Sequence, residues 1–291
     1  MSKNFDDLLT KLKVAKTKKL AVAVAQDEPV LEAVKAAKDR GIADAILVGD
    51  REKIEAVATK IDMDLSSFEI VHEDDVKKAA LKAIELVSSG QADMVMKGLV
   101  DTATFLRSVL NKEVGLRTGK LMSHVSVFEI EGIDRLILLT DAAFNTYPDL
   151  KQKVQIINNS VMVAKACGIE NPKVAPVCAV EVVNPDMPAT IDAALLSKMS
   201  DRGQIKGCIV DGPLALDNAL SEEAAHHKGV TGPVAGKADV LLLHDIDVAN
   251  VVSFQREEKG YASSLSKWLF FNTSRNSSIS SFELGFIFFT T

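Results

Sequence analysis

Short apolar runs alternate with amphipathic stretches along most of the chain, and this alternation restricts the fold more than any other feature. The first run, Leu20–Ala25, is continuously apolar, which is typical of a strand buried on both faces of a sheet. Further strands are predicted at residues 45–48, 68–71 and 93–96, with helical segments between them. A strand–helix repeat of this kind predicts a parallel sheet with helices on both faces.

The rhythm changes once and then resumes. Two strand-like runs, 125–130 and 135–139, are separated only by residues 131–134, which is too short for a parallel crossover. These two strands should therefore be antiparallel inside a mainly parallel sheet. Further strands are predicted at 174–178, 208–210 and 239–243, and helices at 150–167, 190–199 and 217–227. We expect a first α/β domain at 1–140, a second at 141–252, and a ligand site between them.

Charge and hydropathy exclude several classes of protein. The net charge of −6 gives the chain no basic footprint for nucleic acid. No apolar stretch approaches the roughly 20 residues that span a bilayer, and the N-terminus has no run of signal-peptide type. We therefore expect a cytoplasmic protein without a membrane partner. The cysteines form no CxxC pair and are expected to be small core residues.

Ligands of open α/β sheets bind beyond the carboxyl ends of the strands, so the residues that follow each strand are the first candidates. The fourth strand ends at Lys97 and Gly98, and a helix opens near Thr102. Its free N–H groups, together with Lys97 and Arg107, could hold a phosphate. A helix cap beside ordinary surface cations is an equally good interpretation of this spacing.

Other strand ends carry polar residues. A glycine-bearing cationic loop includes Arg117 and leads to Ser123, and it could contact phosphate or lie simply on the surface. The carboxylates Asp141 and Asp211 each follow a strand, where a base, a metal ligand or a helix cap are all possible. No compact metal-ligand motif is present. The segment 231–238 is similar to a phosphate-binding P-loop, but it lacks the first glycine and the final Ser/Thr and precedes a strand.

Taken in order, several segments resemble the phosphate acetyl/butyryltransferase family over about residues 1–252. They are Met96-Lys97-Gly98 with Thr102–Arg107, Leu121–Val125, Thr140–Asn145 with Pro148–Leu150, Asn171–Ala175, Val210–Asp217 and Val234–Asp239. One such segment alone is weak, but the ordered set is specific.

The resemblance implies two α/β/α domains with mainly parallel sheets and a cleft between them, of the isocitrate/isopropylmalate dehydrogenase-like type. It implies reversible transfer of a short acyl group from coenzyme A to inorganic phosphate, with butyryl as the expected acyl group. Coenzyme A is then a substrate, no cofactor or metal takes part, and the partners are acyl-CoA, phosphate and acyl phosphate. The family usually forms dimers or larger homo-oligomers.

Most of the site residues lie in the same segments, and Arg117 comes from the cationic loop before Ser123. We expect catalytic roles for Arg107, Asp141 and Ser123, with Asp141 as structural or acid–base support. Substrate-binding roles are expected for Lys97, Gly98, Thr102, Arg117, Asn145, Asp211 and Gly212. A positive site that binds phosphate also neutralises a leaving group, and the thiol of coenzyme A, with a pKa near 8.5, gains from a nearby base.

The end of the chain departs from the family. After Val252 the expected glycine-rich strand and Ser-Arg segment are missing, and a stretch rich in serine and aromatic residues follows. Thr273-Ser274-Arg275 is the one stretch after Val252 that is similar to the expected Ser-Arg segment. We hypothesise that residues 253–291 are an aberrant or disordered tail, for instance from a shifted reading frame, which would weaken catalysis.

Three other functions remain open at this point. A non-catalytic protein that binds coenzyme A or acyl phosphate would tolerate loss of the C-terminal groups. A metal- and nicotinamide-dependent decarboxylating enzyme would need clustered aspartates. A phosphate acetyltransferase or a branched-chain transferase would differ in the volume of the acyl pocket.

Overall fold

The computed structural model describes residues 3–12, 16–257 and 270–272, and these residues form two compact units. One unit comprises Leu8–Gly119 with the strand Phe270–Asn272, and the other comprises residues 3–7 and 120–257. Helix α1 spans Phe5–Leu12, and the boundary between the two units in the sequence falls within it, between Asp7 and Leu8. The tail residues 258–269 and 273–291, including Thr273-Ser274-Arg275, lie outside the described residues, so the hypothesis about them stays a prediction.

The first unit contains a five-stranded sheet in the order β10-β4-β1-β2-β3. Its strands are β1 (Lys18–Ala23), β2 (Ala43–Gly49), β3 (Glu69–His72), β4 (Met94–Lys97) and β10 (Phe270–Asn272). Its helices are α2 (Glu28–Asp39), α3 (Arg51–Lys60), α4 (Val76–Ser88) and α5 (Thr102–Val109). Strands β1 to β4 are parallel, and β10 pairs antiparallel with the edge of β4.

The strand order places a topological switch point between β1 and β4. From β1 the chain moves outward through β2 to β3, and it then returns to the other side of β1 to form β4. Connections from two such neighbouring strands leave toward opposite faces of the sheet, so a crevice opens at their carboxyl ends. By this rule, the residues that follow β1 and β4 are the first candidates for contact with a ligand.

The second unit contains another five-stranded sheet in the order β5-β6-β9-β7-β8. Its strands are β5 (Ser126–Phe128), β6 (Ile137–Thr140), β7 (Lys173–Pro176), β8 (Ile209–Val210) and β9 (Val240–Leu242). Its helices are α6 (Leu150–Ala166), α7 (Pro188–Asp201), α8 (Leu216–Leu220), α9 (Glu222–His227) and α10 (Ile246–Glu257). Strands β6 to β9 are parallel, and β5 pairs antiparallel with β6.

Aspartate caps begin four of the longer helices. The side chains of Asp50, Asp75, Asp101 and Asp149 each accept a hydrogen bond from the backbone N–H three residues later. Asp149 forms a full capping box, because Gln152 also accepts from the N–H of Asp149 at 2.9 Å. These caps fix the starts of α5 and α6, which are the next helices after β4 and β6, the strands whose ends carry candidate site residues.

The mainly parallel α/β architecture and the antiparallel hairpin are confirmed, but three details differ from expectation. Strands β5 and β6 belong to the second sheet, because Leu138 pairs with Val240 of β9, whereas we placed them in a first domain ending at residue 140. The helix predicted at 217–227 is two helices, since Ser221 is extended and caps α9. Helix α10 was not predicted. Among the described residues, no helix is long and apolar enough to cross a membrane.

Candidate functional site

Lys97 ends β4 and Gly98 follows it, as the sequence predicts, and the strand order places both at the switch point of the first sheet. Gly98 packs against β1, where a Cβ atom would come within 2.6 Å of the carbonyl oxygen of Ala23 and even closer to that of Val24. Only glycine fits this close approach of two backbones. Lys97 is half-buried, and burial lowers the pKa of its ammonium while Asp101 and Asp27 oppose that shift. The ammonium is therefore partly desolvated and suited to pairing with an anion.

The N-terminus of α5 adds amides and charges to the same edge. The hydrogen bond from the Thr104 side chain lowers the pKa of Asp101, and so does the bond that Asp101 accepts from the backbone N–H of Thr104 at 2.8 Å. The nearby charge of Arg107 lowers it further. Within the described part of the chain, no hydrogen bond is formed by the backbone N–H groups of Thr102 and Ala103, so both can donate to an anion. Because the Asp101 carboxylate opposes a second negative charge here, an anion at this helix end needs Lys97 and Arg107 as well.

Arg117 lies on the loop that ends the first unit. The loop returns to α5 through a 2.8 Å bond from the N–H of Leu116 to the carbonyl of Val109. The Arg107 and Arg117 side chains are exposed, and neither forms an ion pair with the described residues. Both guanidinium groups can therefore bind a phosphate ligand.

In the second unit Asp141 organises the loop that follows β6. It is 3% exposed, and its Oδ1 accepts from the backbone N–H groups of Ala143 at 2.8 Å and Phe144 at 3.1 Å. Its Oδ2 accepts from Asn145 Nδ2 at 2.5 Å. Burial raises the pKa of this carboxyl, and the hydrogen bonds oppose that shift. Since both oxygens are engaged and buried, the geometry favours structural support over direct acid–base work for Asp141.

Ser123 and its neighbour His124 are buried beneath this loop. The hydroxyl of Ser123 accepts from Asn159 Nδ2 at 2.8 Å, and Ser123 is 3% exposed. Burial lowers the pKa of His124 to about 3, so the imidazole is neutral. Its ring lies edge-on to Phe144 with the centroids 6.3 Å apart. These contacts tie the segment before β5 to α6 and to the Asp141 loop, which gives Ser123 a positioning role.

Asp211 and Gly212 follow β8 at the same carboxyl edge of the second sheet. Asp211 is half-buried, and burial raises the pKa of its carboxyl. A Cβ atom on Gly212 would lie 3.2 Å from Pro176 Cδ, so the glycine lets the chain pass close to the end of β7.

Asn145 is partly exposed on the Asp141 loop and also donates to the carbonyl of Met122 at 2.9 Å.

One polar cluster at this edge was missed by the sequence analysis. Lys153 of α6 is buried, and its Nζ lies 2.6 Å from Asp192 Oδ2 and 2.8 Å from His244 Nδ1. His244 follows β9, and Cys178 follows β7. The sequence does contain a signal that Lys153 is buried, because Lys153 lies on the same helical stripe as the buried Ile157.

Each edge therefore offers different chemistry. The edge of the first unit provides cations and helix amides for an anion, whereas the edge of the second provides a buried polar framework. Burial raises the pKa of Cys178 and of Cys208 to about 11, so neither thiol is poised as a nucleophile. The described part of the chain contains no group of three or more His, Cys, Asp or Glu residues that could hold a metal ion.

Comparison with known proteins identifies the family of this chain. The model of the family described as "Phosphate acetyl/butaryl transferase" matches residues 4–80 and 73–259. The chain belongs to this family. It is 73% identical to a phosphate butyryltransferase of Clostridium acetobutylicum over 252 residues, which are 87% of this chain and 84% of that protein. It is 46% identical to a phosphate acetyltransferase of Thermotoga maritima over 248 residues, 85% of this chain and 84% of that one.

A solved structure supports the fold of this family member. The structure of a branched-chain phosphotransacylase from Enterococcus faecalis is similar to this chain with a TM-score of 0.76 and 30% identity. The similarity covers 88% of this chain and 89% of that one. The expected fold class and family are thus confirmed.

Proposed function

We propose that this protein catalyses the reversible transfer of a butyryl group from coenzyme A to inorganic phosphate. The observation that carries the proposal is the 73% identity to a phosphate butyryltransferase over 252 residues. Those residues make up most of the chain, and both polar edges belong to the described structure. The proposal also agrees with the chemistry of the two edges, which offer cations for a phosphate and a preorganised polar framework.

The reaction needs no covalent intermediate on the enzyme. An oxygen of hydrogen phosphate attacks the carbonyl carbon of the thioester and forms a C–O bond, while the carbonyl electron pair moves onto its oxygen. The pair then returns, the C–S bond breaks, and its electrons leave with the sulfur. The proton of the phosphate ends on that sulfur, which gives butyryl phosphate and free coenzyme A. Enzymes accelerate such steps chiefly by orienting the reactants and stabilising charge in the transition state.

We assign phosphate binding to the edge of the first unit. Lys97 supplies a partly desolvated ammonium, Arg107 and Arg117 supply exposed guanidinium groups, and Thr102 supplies a helix N-terminal amide. Gly98 allows the strand end to pass close to β1. Cationic hydrogen bonds to phosphate are roughly twice as strong as neutral ones, so these groups should dominate affinity for the anion.

We assign support and orientation of the acyl-CoA to the second unit. Asp141 and Ser123 fix the loops on which Asn145 stands, and Asp211 with Gly212 forms the neighbouring strand end. The amide of Asn145 and the half-buried carboxylate of Asp211 are the accessible polar groups of this set. They are proposed as substrate contacts, whereas Asp141 and Ser123 act through their neighbours.

We further propose that the enzyme works without a metal or cofactor, in the cytoplasm, and as a homo-oligomer. Met162 on α6 and Leu195 on α7 are large apolar side chains exposed to solvent, and contact with a second copy would bury them. Light scattering at micromolar concentration measures the mass of the assembly. A monomer would contradict the oligomer proposal and leave the proposed reaction untouched.

The test of the reaction is phosphate-dependent release of thiol from acyl-CoA. Acetyl-, butyryl- and isobutyryl-CoA are compared at equal concentration, with sulfate in place of phosphate as the control. We expect the highest kcat/KM with butyryl-CoA and no release with sulfate. A preference for acetyl-CoA would favour the alternative of a phosphate acetyltransferase, to which the 46% identical Thermotoga maritima relative points. Binding without any turnover would refute the proposal and favour a binding protein.

A further inference from the structure

His244 stands at the carboxyl edge of the second sheet, between two strand ends. It follows β9, whose Leu242 pairs with Thr140 of β6 on one side and with Pro176 of β7 on the other. The pairing continues past the strands, because the N–H of Leu243 donates to the carbonyl of Thr140 at 2.8 Å. The imidazole therefore lies beside the segment that leads to the Asp141 loop.

The imidazole is held by a cation on one side. Lys153 Nζ lies 2.8 Å from His244 Nδ1, and a lysine ammonium has three donors and no acceptor. Nδ1 must therefore accept, so the ring proton lies on Nε2. The ammonium is itself fixed by Asp192 Oδ2 at 2.6 Å, and the Lys153 side chain is only 3% exposed. A second proton on the ring would face this ammonium, which makes the neutral ring the stable form.

The rest of the environment leaves Nε2 available. The ring is partly exposed, and no described residue forms a hydrogen bond with Nε2. The backbone that carries it is also fixed, because the next residue, Asp245, accepts from the N–H of Val248 at 2.9 Å and starts α10. Negative charge develops on a carbonyl oxygen when a nucleophile attacks. A neutral N–H donor that is already oriented stabilises this charge without the cost of reorganisation.

We propose that His244 is a catalytic residue whose Nε2–H donates to the acyl carbonyl oxygen, and that Lys153 is the positioning residue that fixes its tautomer. The inference deepens the proposed function and rests on it. As phosphate attacks, the electron pair that moves onto the carbonyl oxygen is stabilised by this hydrogen bond, and the proton stays on Nε2 throughout. Phosphate, a dianion, is left to the cations of the first unit.

Two substitutions of His244 separate this role from a structural one. In His244→Gln the side-chain amide reaches the position of Nε2 and can still present an N–H group. In His244→Asn the shorter amide reaches only the position of Nδ1, so it keeps the bond to Lys153 and loses the outward donor. A purely structural histidine would be replaced better by asparagine than by glutamine.

The experiment measures kcat for thiol release from butyryl-CoA in wild type and both variants, after thermal unfolding has verified that each is folded. We expect about a 10²-fold loss for His244→Asn, in line with removal of one oxyanion donor, and a loss below about tenfold for His244→Gln. Equal activity of the two variants would overturn the proposal. A wild-type protein without turnover on any acyl-CoA would instead overturn the proposed function.

The tautomer is tested independently of activity. Nitrogen-15 NMR of the histidine rings distinguishes a protonated from an unprotonated ring nitrogen, and His244→Gln assigns the signal. We expect a proton on Nε2 alone at pH 7 in the wild type, and both neutral tautomers in Lys153→Met. A proton on Nδ1 in the wild-type protein would overturn the assignment of both residues.

Discussion

Lowering the pH should destabilise the second unit through His124. The imidazole is buried and its pKa is about 3 in the folded protein, against about 6.5 in the unfolded chain. Below pH 6.5 the imidazole of His124 binds a proton in the unfolded chain but not in the folded protein. The free energy of unfolding therefore falls as the pH falls, until about pH 3. Between pH 7 and pH 5 these two pKa values give a loss of about 2 kcal/mol.

The assay is urea unfolding at both pH values, with His124→Gln as the matched variant. Comparing the two proteins cancels the other groups, among them Asp141, whose raised pKa acts in the opposite direction. We expect the wild type to lose about 2 kcal/mol more than the variant on going from pH 7 to pH 5. Equal losses, or an imidazole of His124 that titrates near pH 6.5 in the folded protein by NMR, would refute the reasoning.

Three further predictions concern the strand ends. Lys97→Met should lower kcat/KM for phosphate by roughly 10- to 100-fold through loss of a charged hydrogen bond, whereas the exposed Lys112→Met control should leave it nearly unchanged. Gly98→Ala should lower the unfolding free energy by about 1–3 kcal/mol in denaturant unfolding, because the added methyl group meets the carbonyl oxygens of Ala23 in β1 and of Val24, which follows it; a neutral effect would contradict the packing. Alkylation of Cys178 and Cys208 at pH 8, followed by mass spectrometry, should be about 10²-fold slower than that of a free thiol, and rapid labelling would contradict their burial.

The sequence predicts the local elements well where burial is two-sided. The runs Leu20–Ala25 and Ala45–Val48 are continuously apolar, because these parts of the two central strands are covered on both faces. The hairpin of β5 and β6 was also predictable, since four residues permit only an antiparallel return. The sequence did not predict which sheet contains this hairpin, because the pairing of Leu138 with Val240 joins residues that lie far apart in the chain. Local spacing carries no information on such a partner.

Helix α10 and the break before α9 show two other limits. Among its described side chains, α10 buries Ala249 and exposes Val248 and Val251, so it lacks a clear apolar stripe. The break depends on Ser221, whose extended backbone and side-chain bond to the N–H of Ala224 start a new helix. A capping serine was visible in the sequence, but the surrounding residues favoured a continuous helix.

The candidate site was only partly accessible to sequence reasoning. Lys97 and Gly98 were found because they follow a buried strand, and the structure places them at the switch point. Asp141 was found for the same reason, but its use as a loop support depends on three hydrogen bonds that spacing alone does not predict. Lys153 was overlooked because a lysine on an apolar stripe has meaning only when its partners, Asp192 and His244, are known.

The central claim is that phosphate, and not water, receives the acyl group. Phosphorus NMR of a mixture of butyryl-CoA, phosphate and enzyme measures the acyl phosphate directly, while a thiol reagent measures free coenzyme A. We predict that the two products form in a one-to-one ratio from the first time point. Free thiol without acyl phosphate, or neither product, would contradict the account.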